Sequence, residues 1–418
     1  MSTRSYDAIV VGARVAGAAT AMLLARSGLR VLVVDQARFP SDTLSSHQVQ
    51  VPGIARLRRW GLLDAVASSG APATTRVRFN PGHVSMEGRF LAYQQVDALY
   101  SPRRIVLDAL LVDAARVAGA EVRDGFRVDE LVWSDGRVVG ISGRERGTRA
   151  SVTDTARLII GADGKRSFVA KAVGARAYLT KPATSVGCYT YWSGVPATVG
   201  DLYQRPGRAV AVFPTNDDLT MVYVGARPSE LAAFRADPTG RYLQSLDQCA
   251  DLGDRVRQGH RAERFRLAPD LPNTFRVPYG PGWALVGDAG VVMDPITAQG
   301  ITNAFTDAER LSDAVADGLG SAEPLDSVLA RYHRQRDSAI KPMYDLTVRL
   351  AQLRPLRAAE KYLLAAVADQ QSEVDRLLSV FAGIVPLGEY RSVRNLGRLL
   401  GMRFATSVGD ARLCPASR

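Results

Sequence analysis

Three short stretches of this chain carry the residue types that bind a phosphorylated cofactor. The first is Gly12-Ala13-Arg14-Val15-Ala16-Gly17, set between an apolar run, Ala8 to Val11, and an Ala/Leu-rich stretch reaching Ser27. Strand, glycine turn and helix in that order aim a helix N-terminus, with its unpaired N–H groups and about half a positive charge, at whatever sits above the turn. A second apolar run, Val31 to Val34, ends in Asp35, near the roughly 20-residue interval at which a dinucleotide-binding unit places the acid that holds a ribose hydroxyl. Residues 1–35 therefore read as a site for an adenine dinucleotide. One position departs from the Gly-x-Gly-x-x-Gly pattern: its middle glycine is Arg14. A residue with a Cβ is kept out of glycine-only dihedrals, so residue 14 is expected to hold an ordinary φ and turn its side chain outward, where the guanidinium could meet a cofactor phosphate. Gln36 and Arg38 follow Asp35; Arg38 could touch adenosine or phosphate, or be a solvated surface arginine.

The second stretch, Gly161-Ala162-Asp163-Gly164-Lys165-Arg166-Ser167, follows the buried-looking run Arg157 to Ile160. A carboxylate, a glycine and a cation at a strand end can bind sugar hydroxyls or phosphate oxygens, although a plain glycine-rich turn would use the same residues. The third runs from Gly287-Asp288 through Asp294-Pro295 and Gly300-Ile301 to Asn303, after the strand Trp283 to Val286. It reads as strand, carboxylate turn, rigid proline loop and a glycine opening a new helix. Backbone N–H groups at such a helix start suit an anionic atom, such as the N1/C2=O edge of a reduced flavin.

In this order and at these gaps the three stretches resemble the FAD-dependent monooxygenases of the aromatic hydroxylase type, the group A flavoprotein monooxygenases, over about residues 6–345. The resemblance implies an α/β fold: a Rossmann-like FAD-binding domain of the GR2 type, an inserted β-sheet substrate domain, and C-terminal helices. It implies that Gly12, Gly17 and Asp35, with Ala13, Val15 and Ala16 in the same turn, bind the ADP half of FAD. It places Asp163 and Gly164 in a motif serving both flavin and nicotinamide cofactor, gives Gly287 and Asp288 the ribityl-pyrophosphate part, and sets Pro295, Gly300 and Ile301 against the isoalloxazine. Arg104, in the Arg-x-x-Leu-Asp pattern Arg104 to Asp108, would precede a helix near FAD, or simply begin that helix. The chemistry so implied is reduction of FAD by NADPH or NADH and addition of O2 to give a flavin C4a-hydroperoxide. Its distal oxygen would hydroxylate or epoxidise an aromatic or polyketide-like small molecule of secondary metabolism. The protein's task is then orientation and exclusion of water.

A substrate would lie between the isoalloxazine and a β-rich region containing Tyr189, Tyr191, Phe213 and Tyr223, whose alternation within strands puts several on one face. Each could equally be ordinary sheet core. His47, after Thr43-Leu-Ser-Ser46, stands on a loop that could reach the flavin, where it would be a catalytic residue orienting a phenol or the peroxide, or be a surface-loop histidine. Flavin-dependent halogenases share the architecture but carry a Trp-x-Trp-x-Ile-Pro stretch and a lysine in the intervening region; here there is no such stretch and the first lysine is Lys165. Ene reductases of the geranylgeranyl reductase type also share it and are harder to exclude. A non-redox nucleotide-binding module would leave the 287–303 segment without a purpose.

The elements around these stretches interleave. Helical spacing at 53–66 and 104–118, alternating pieces at 75–93, and strands at 121–132, 138–142 and 157–160 precede a β-rich zone over 183–280. An Arg/Leu/Ala-rich helical tail follows. This predicts a discontinuous FAD-binding domain from 1–74, 101–182 and 276–325, a β-rich substrate domain from 75–100 and 183–275, and a helical region over 326–418. With 46% apolar and 23% charged residues and no apolar stretch near the roughly 18 residues of a membrane span, a cytoplasmic globular enzyme is expected, monomeric or homodimeric. The net charge of +11 is spread over scattered arginines without an aromatic-interleaved basic block, so no nucleic-acid partner is expected. Cys188, Cys249 and Cys414 and the four histidines are too dispersed for a metal site or disulfide framework.

Overall fold

The apolar runs become the middle of an eight-stranded sheet in a computed structural model of the chain, which describes residues 5–399 other than 322 and 396. Ser5–Val11 lies between Val152–Gly161 and Val31–Asp35, parallel to both; Trp283–Leu285 extends the sheet on one side and Glu121–Asp124 on the other. Strands covered on both faces need uninterrupted branched apolar residues instead of alternation. Accordingly Ile9, Val10, Leu32, Val33, Ile159 and Ile160 are fully buried. One face is covered by the helix Val15–Arg26, which packs on Gly300–Gly320 and Arg104–Val117. Small side chains at Ala18, Ala21, Ala304 and Ala308 let these helices approach closely. Phe126, Ile141, Val169 and Trp283 fill the opposite face.

A second eight-stranded sheet has Val186–Ser193, Thr220–Ala226, Arg208–Pro214 and Gly200–Arg205 as antiparallel neighbours. The hairpin Arg76–Asn80 and Met86–Arg89 joins its far edge, parallel to Gly200–Arg205. Period-2 alternation separates its faces. Tyr189, Tyr191, Phe213 and Tyr223 belong to the core shared with the first sheet, whereas Cys188, Trp192, Val212 and Val222 meet the helices Leu231–Ala236, Pro238–Leu246 and Leu252–Gln258. Those helices correct the reading of 183–280 as β-rich throughout: at six, nine and seven residues they are too short to impose a visible helical period. The helix expected over 53–66 is two, Val51–Arg59 and Leu63–Ser68, separated by Gly61 at φ +75°.

The tail contributes Leu325–Leu350, Ala358–Ala368, Gln371–Phe381 and Leu387–Tyr390. Gln371–Phe381 lies on the 86–89 hairpin, with Val374 and Leu378 against Gly88. Its last residue reaches the third cofactor stretch, where Gln299 Nε2 donates to the Phe381 carbonyl at 2.8 Å. Cys188 and Cys249 are buried free thiols, while Cys414 and the rest of 400–418 lie outside the described residues. Among the described residues no helix is long and apolar enough to cross a membrane.

Candidate functional site

The glycine turn is built by contact. Gly12 has φ +102°, and a Cβ there would stand 2.6 Å from the Ala162 carbonyl; a Cβ on Gly17 would overlap the Gly12 carbonyl. Both glycines let the turn sit against the neighbouring strand end. Asp35 braces it, accepting from the Ala13 and Ala37 N–H groups at 2.8 Å each, which leaves further lone pairs for a ribose hydroxyl. Arg14 keeps an ordinary extended backbone, φ −84°, as its Cβ requires. Its guanidinium, expected at a phosphate, is engaged elsewhere. Nη1 donates to Asp108 at 2.6 Å and to the Ser41 carbonyl at 3.3 Å, and Nη2 reaches Ser41 Oγ and the Asp42 carbonyl. Asp108, fully buried, also takes a fork from Arg104 at 2.9 and 3.1 Å. The Arg-x-x-Leu-Asp pattern thus anchors Arg104, four residues earlier on the same helix face, and Arg14 from the turn.

Asp163 accepts from Ser167 Oγ and the Val169 N–H, while Ser167 caps the helix Phe168–Ala172. Burial raises its pKa against those hydrogen bonds. Asp288 differs: it reaches solvent through a cleft, accepts no hydrogen bond from the other described residues, and is pushed up to about 6 by the surrounding protein, with Arg104, Lys165 and Arg276 pulling the other way. Gly287 at φ +60° would place a Cβ 2.8 Å from Ala16, so glycine is what lets the first and third stretches meet. Asp294 caps Pro295–Thr297 through the Ile296 N–H and accepts from Ser185; burial lifts it to about 6. The loop turns at Ala298, φ +52°, and Gly300 opens a 21-residue helix whose N-terminus has no side-chain cap.

All the cofactor residues read from the sequence border one cleft of about 570 Å³, except Ala13, Gly17 and Arg38. The first two are packed into the turn; Arg38 lies beside Gly125. The aromatic set divides. Tyr189 and Tyr223 border the cleft, but Tyr191 and Phe213 do not: Tyr191 stacks on His47 at 5.6 Å, and Phe213 packs where a Cβ on Gly200 would be. His47 borders it too, 1% exposed at φ +38°, its Nδ1 3.0 Å from the Ser101 carbonyl. Sequence reasoning missed Asp307 and Arg336. Asp307 is buried at the cleft beside the Gly287 turn; burial lifts it to about 6, with the Arg336 and Arg310 charges and the Gly287 N–H acting the other way. Arg336, buried on Leu325–Leu350, donates to the Arg276 carbonyl at 2.9 Å and to Tyr178. The available signal was a carboxylate on the apolar stripe Ala304, Ala308, Leu311.

A family model described as an FAD binding domain matches residues 5–347. The chain belongs to this FAD-binding family. The site fits the cofactor: a Cβ at Gly12 or Gly17 would collide with the backbone that shapes the turn, and Asp288 borders the cleft with no hydrogen-bond partner among the described residues. FAD is its cofactor, and the protein is a flavin-dependent oxidoreductase of α/β fold, in keeping with the resemblance drawn from the motifs. This FAD-binding protein is 27% identical over 367 residues to the digeranylgeranylglycerophospholipid reductase of Methanocella arvoryzae, covering 83% of this chain and 87% of that one. Its fold is similar to that of the myxobacterial chondrochloren halogenase, TM-score 0.77 at 20% identity over 96% of each chain. It is also similar to that of a probable FAD-dependent monooxygenase of Pseudomonas aeruginosa, TM-score 0.71 at 20% identity over 90% of this chain and all of the other.

Proposed function

We propose that this protein is an FAD-dependent monooxygenase that uses NADPH or NADH and O2 to hydroxylate or epoxidise an aromatic or polyketide-like small molecule. The observation that carries the reading is the single cleft running from the Gly12 turn past Asp288 and Gly300 to Tyr189, Tyr223 and Met293 on its far side. In this reading residues 1–74, 101–182 and 276–325 hold the cofactor, and 75–100 with 183–275 close over the substrate. The Gly12 to Gly17 turn and the helix start at Val15 take the pyrophosphate, Asp35 a ribose hydroxyl, Arg104 and Asp288 the middle of the dinucleotide, and the N–H groups at Gly300 and Ile301 the flavin's polar edge. Asp163 and Gly164 support the same cleft from the neighbouring strand end. FAD bound there and reduced by the nicotinamide cofactor would supply the two electrons that activate O2. The chain's own contribution is orientation by the tyrosine wall and exclusion of water by Val291, Val292, Met293 and Tyr223, all in the cleft lining.

A second reading, a flavin-dependent ene reductase, is favoured by the sequence similarity to digeranylgeranylglycerophospholipid reductases over most of the chain. Oxygen separates the two. A monooxygenase consumes substrate only with O2 and transfers one atom of isotopically heavy O2 to product. Substrate loss that proceeds under strict anaerobiosis with a reduced double bond in the product would establish the reductase instead.

A further inference from the structure

Among the described residues, three buried side-chain atoms with no hydrogen-bond partner belong to residues bordering the cleft: His47 Nε2, Gln48 Nε2 and Asp307 Oδ1. Asp307 lies beside the Gly287 turn. His47 and Gln48 are adjacent where the cleft meets the second sheet: His47 stacks on Tyr191, which is edge-on to Tyr189, and Gln48 joins Gln50 beside Thr297 and Thr302. We infer that His47 and Gln48 are specificity-determining residues, and that the substrate is a planar aromatic carrying an O–H or N–H that donates to His47 Nε2 and an acceptor for Gln48 Nε2. This rests on reading that part of the cleft as the substrate's place.

The chemistry of each atom follows from its neighbours. The Ser101 carbonyl can only accept, so His47 Nδ1 carries the proton and Nε2 is left with a lone pair. That carbonyl is itself held by Thr215 Oγ1 at 2.6 Å, from the end of the Arg208–Pro214 strand. Tyr191 stacks on the imidazole at 15° between planes, and the Arg103 guanidinium lies 4.8 Å from the Tyr191 ring, so the ring is fixed. Burial holds His47 down to about 4; the Arg103 and Arg104 charges act in the same sense, while the Ser101 bond and the Asp42 charge oppose it. The imidazole is therefore neutral and accepting at physiological pH. Gln48 Oε1 accepts from Gln50 Nε2 at 3.4 Å, which leaves Gln48 Nε2 as the donor without a partner. Pairing a buried polar atom shifts an equilibrium by roughly tenfold. A ligand lacking the complementary groups would forgo that at each atom, which is how a buried polar group discriminates between ligands of equal size.

The pyrimidine edge of FAD offers the same donor beside an acceptor, so the experiment separates cofactor from substrate. Full-length, FAD-loaded protein is titrated without reductant under argon with planar donors and their methylated twins: 1-naphthol and 1-methoxynaphthalene, 2-quinolone and N-methyl-2-quinolone. Binding is followed by perturbation of the flavin absorbance. The donor-bearing member of at least one pair is expected to bind about tenfold or more tightly than its twin. His47→Ala should abolish that preference, and His47→Gln, which restores an acceptor, should recover most of it. FAD affinity should stay within about threefold in both variants, well short of the tenfold that a lost hydrogen bond brings. The inference is overturned if neither pair shows a preference, if the preference survives His47→Ala, or if FAD affinity falls in place of ligand affinity. None of these readings needs turnover. A donor-selective ligand that is never oxygenated in later assays removes the monooxygenase reading and leaves His47 where it is.

Discussion

Arg14 occupies a position where the pattern calls for glycine, and its replacement by alanine distinguishes two roles. The guanidinium makes one short charge-assisted bond, 2.6 Å to Asp108, and three longer contacts of 3.2 to 3.3 Å to Ser41 and Asp42. Its side chain is 25% exposed and that of Asp108 is closed to solvent. A hydrogen bond to a charged group contributes about 1.5–3 kcal/mol. The lower end applies here, because Arg104 still grips both oxygens of Asp108 after Arg14 is gone, so no buried charge is orphaned. Arg14→Ala should therefore cost about 1–2 kcal/mol, a fall in Tm of a few degrees, and leave FAD affinity nearly unchanged. Asp108→Ala strands two guanidinium groups and should cost about 3–5 kcal/mol. Thermal and denaturant melts of the two variants and their double mutant, with FAD titrations by flavin fluorescence, measure both terms. A tenfold or greater loss of FAD affinity in Arg14→Ala with an unchanged melt would refute the reasoning and return the side chain to a phosphate.

Other perturbations follow from contacts already described. Gly12→Ala combines a strained φ of +102° with a Cβ 2.6 Å from a carbonyl oxygen, and should reduce FAD binding at least about tenfold, since loss or distortion of even one cofactor hydrogen bond is worth that much; retention of a full flavin spectrum after gel filtration would contradict it. Asp294 binds a proton more tightly folded, at about 6, than unfolded, at 3.8. Its burial therefore weakens the native state as pH rises from about 4 to about 6, by at most about 3 kcal/mol. Asp294→Asn, which can still accept from Ile296 and donate to Ser185, should flatten that slope and stabilise the protein at pH 7 in urea melts; an unaltered slope argues that Asp294 stays ionised in its pocket. Arg336→Leu should release the 276–290 turn and loosen FAD without emptying the rest of the cleft, seen as faster amide exchange confined to that turn and the Leu325–Leu350 helix.

Continuous apolar runs ending in a glycine turn or a carboxylate were readable because a doubly covered parallel strand leaves few other sequences open to it. Ala8 to Val11, Val31 to Val34 and Trp283 to Val286 all enter the first sheet. The tyrosine alternation placed Tyr189 and Tyr191 on one face, yet only depth along the strand decides which meets the cleft. Tyr191 ends against His47. Arg14 was legible as an anomaly and not as a contact, since its partner Asp108 is 94 residues away on another helix. Asp307 and Arg336 were missed for the same reason: each is explained by a turn that the chain makes elsewhere.

Segment 39–47 is gripped from two sides. Arg14 holds Ser41 and Asp42 from the cofactor sheet, while Arg266 clasps the Asp42 carboxylate at 2.7 Å and Tyr189 takes the Ser45 N–H at 3.0 Å from the second sheet. One stretch of backbone is thus ordered jointly by two half-sites. A ligand in either half-site that tightens those contacts would leave the shared stretch already set for the second. By linkage the assistance is reciprocal in affinity: flavin-loaded protein should bind the proposed aromatic ligand more tightly than the apoprotein, and that ligand should raise flavin affinity by the same factor.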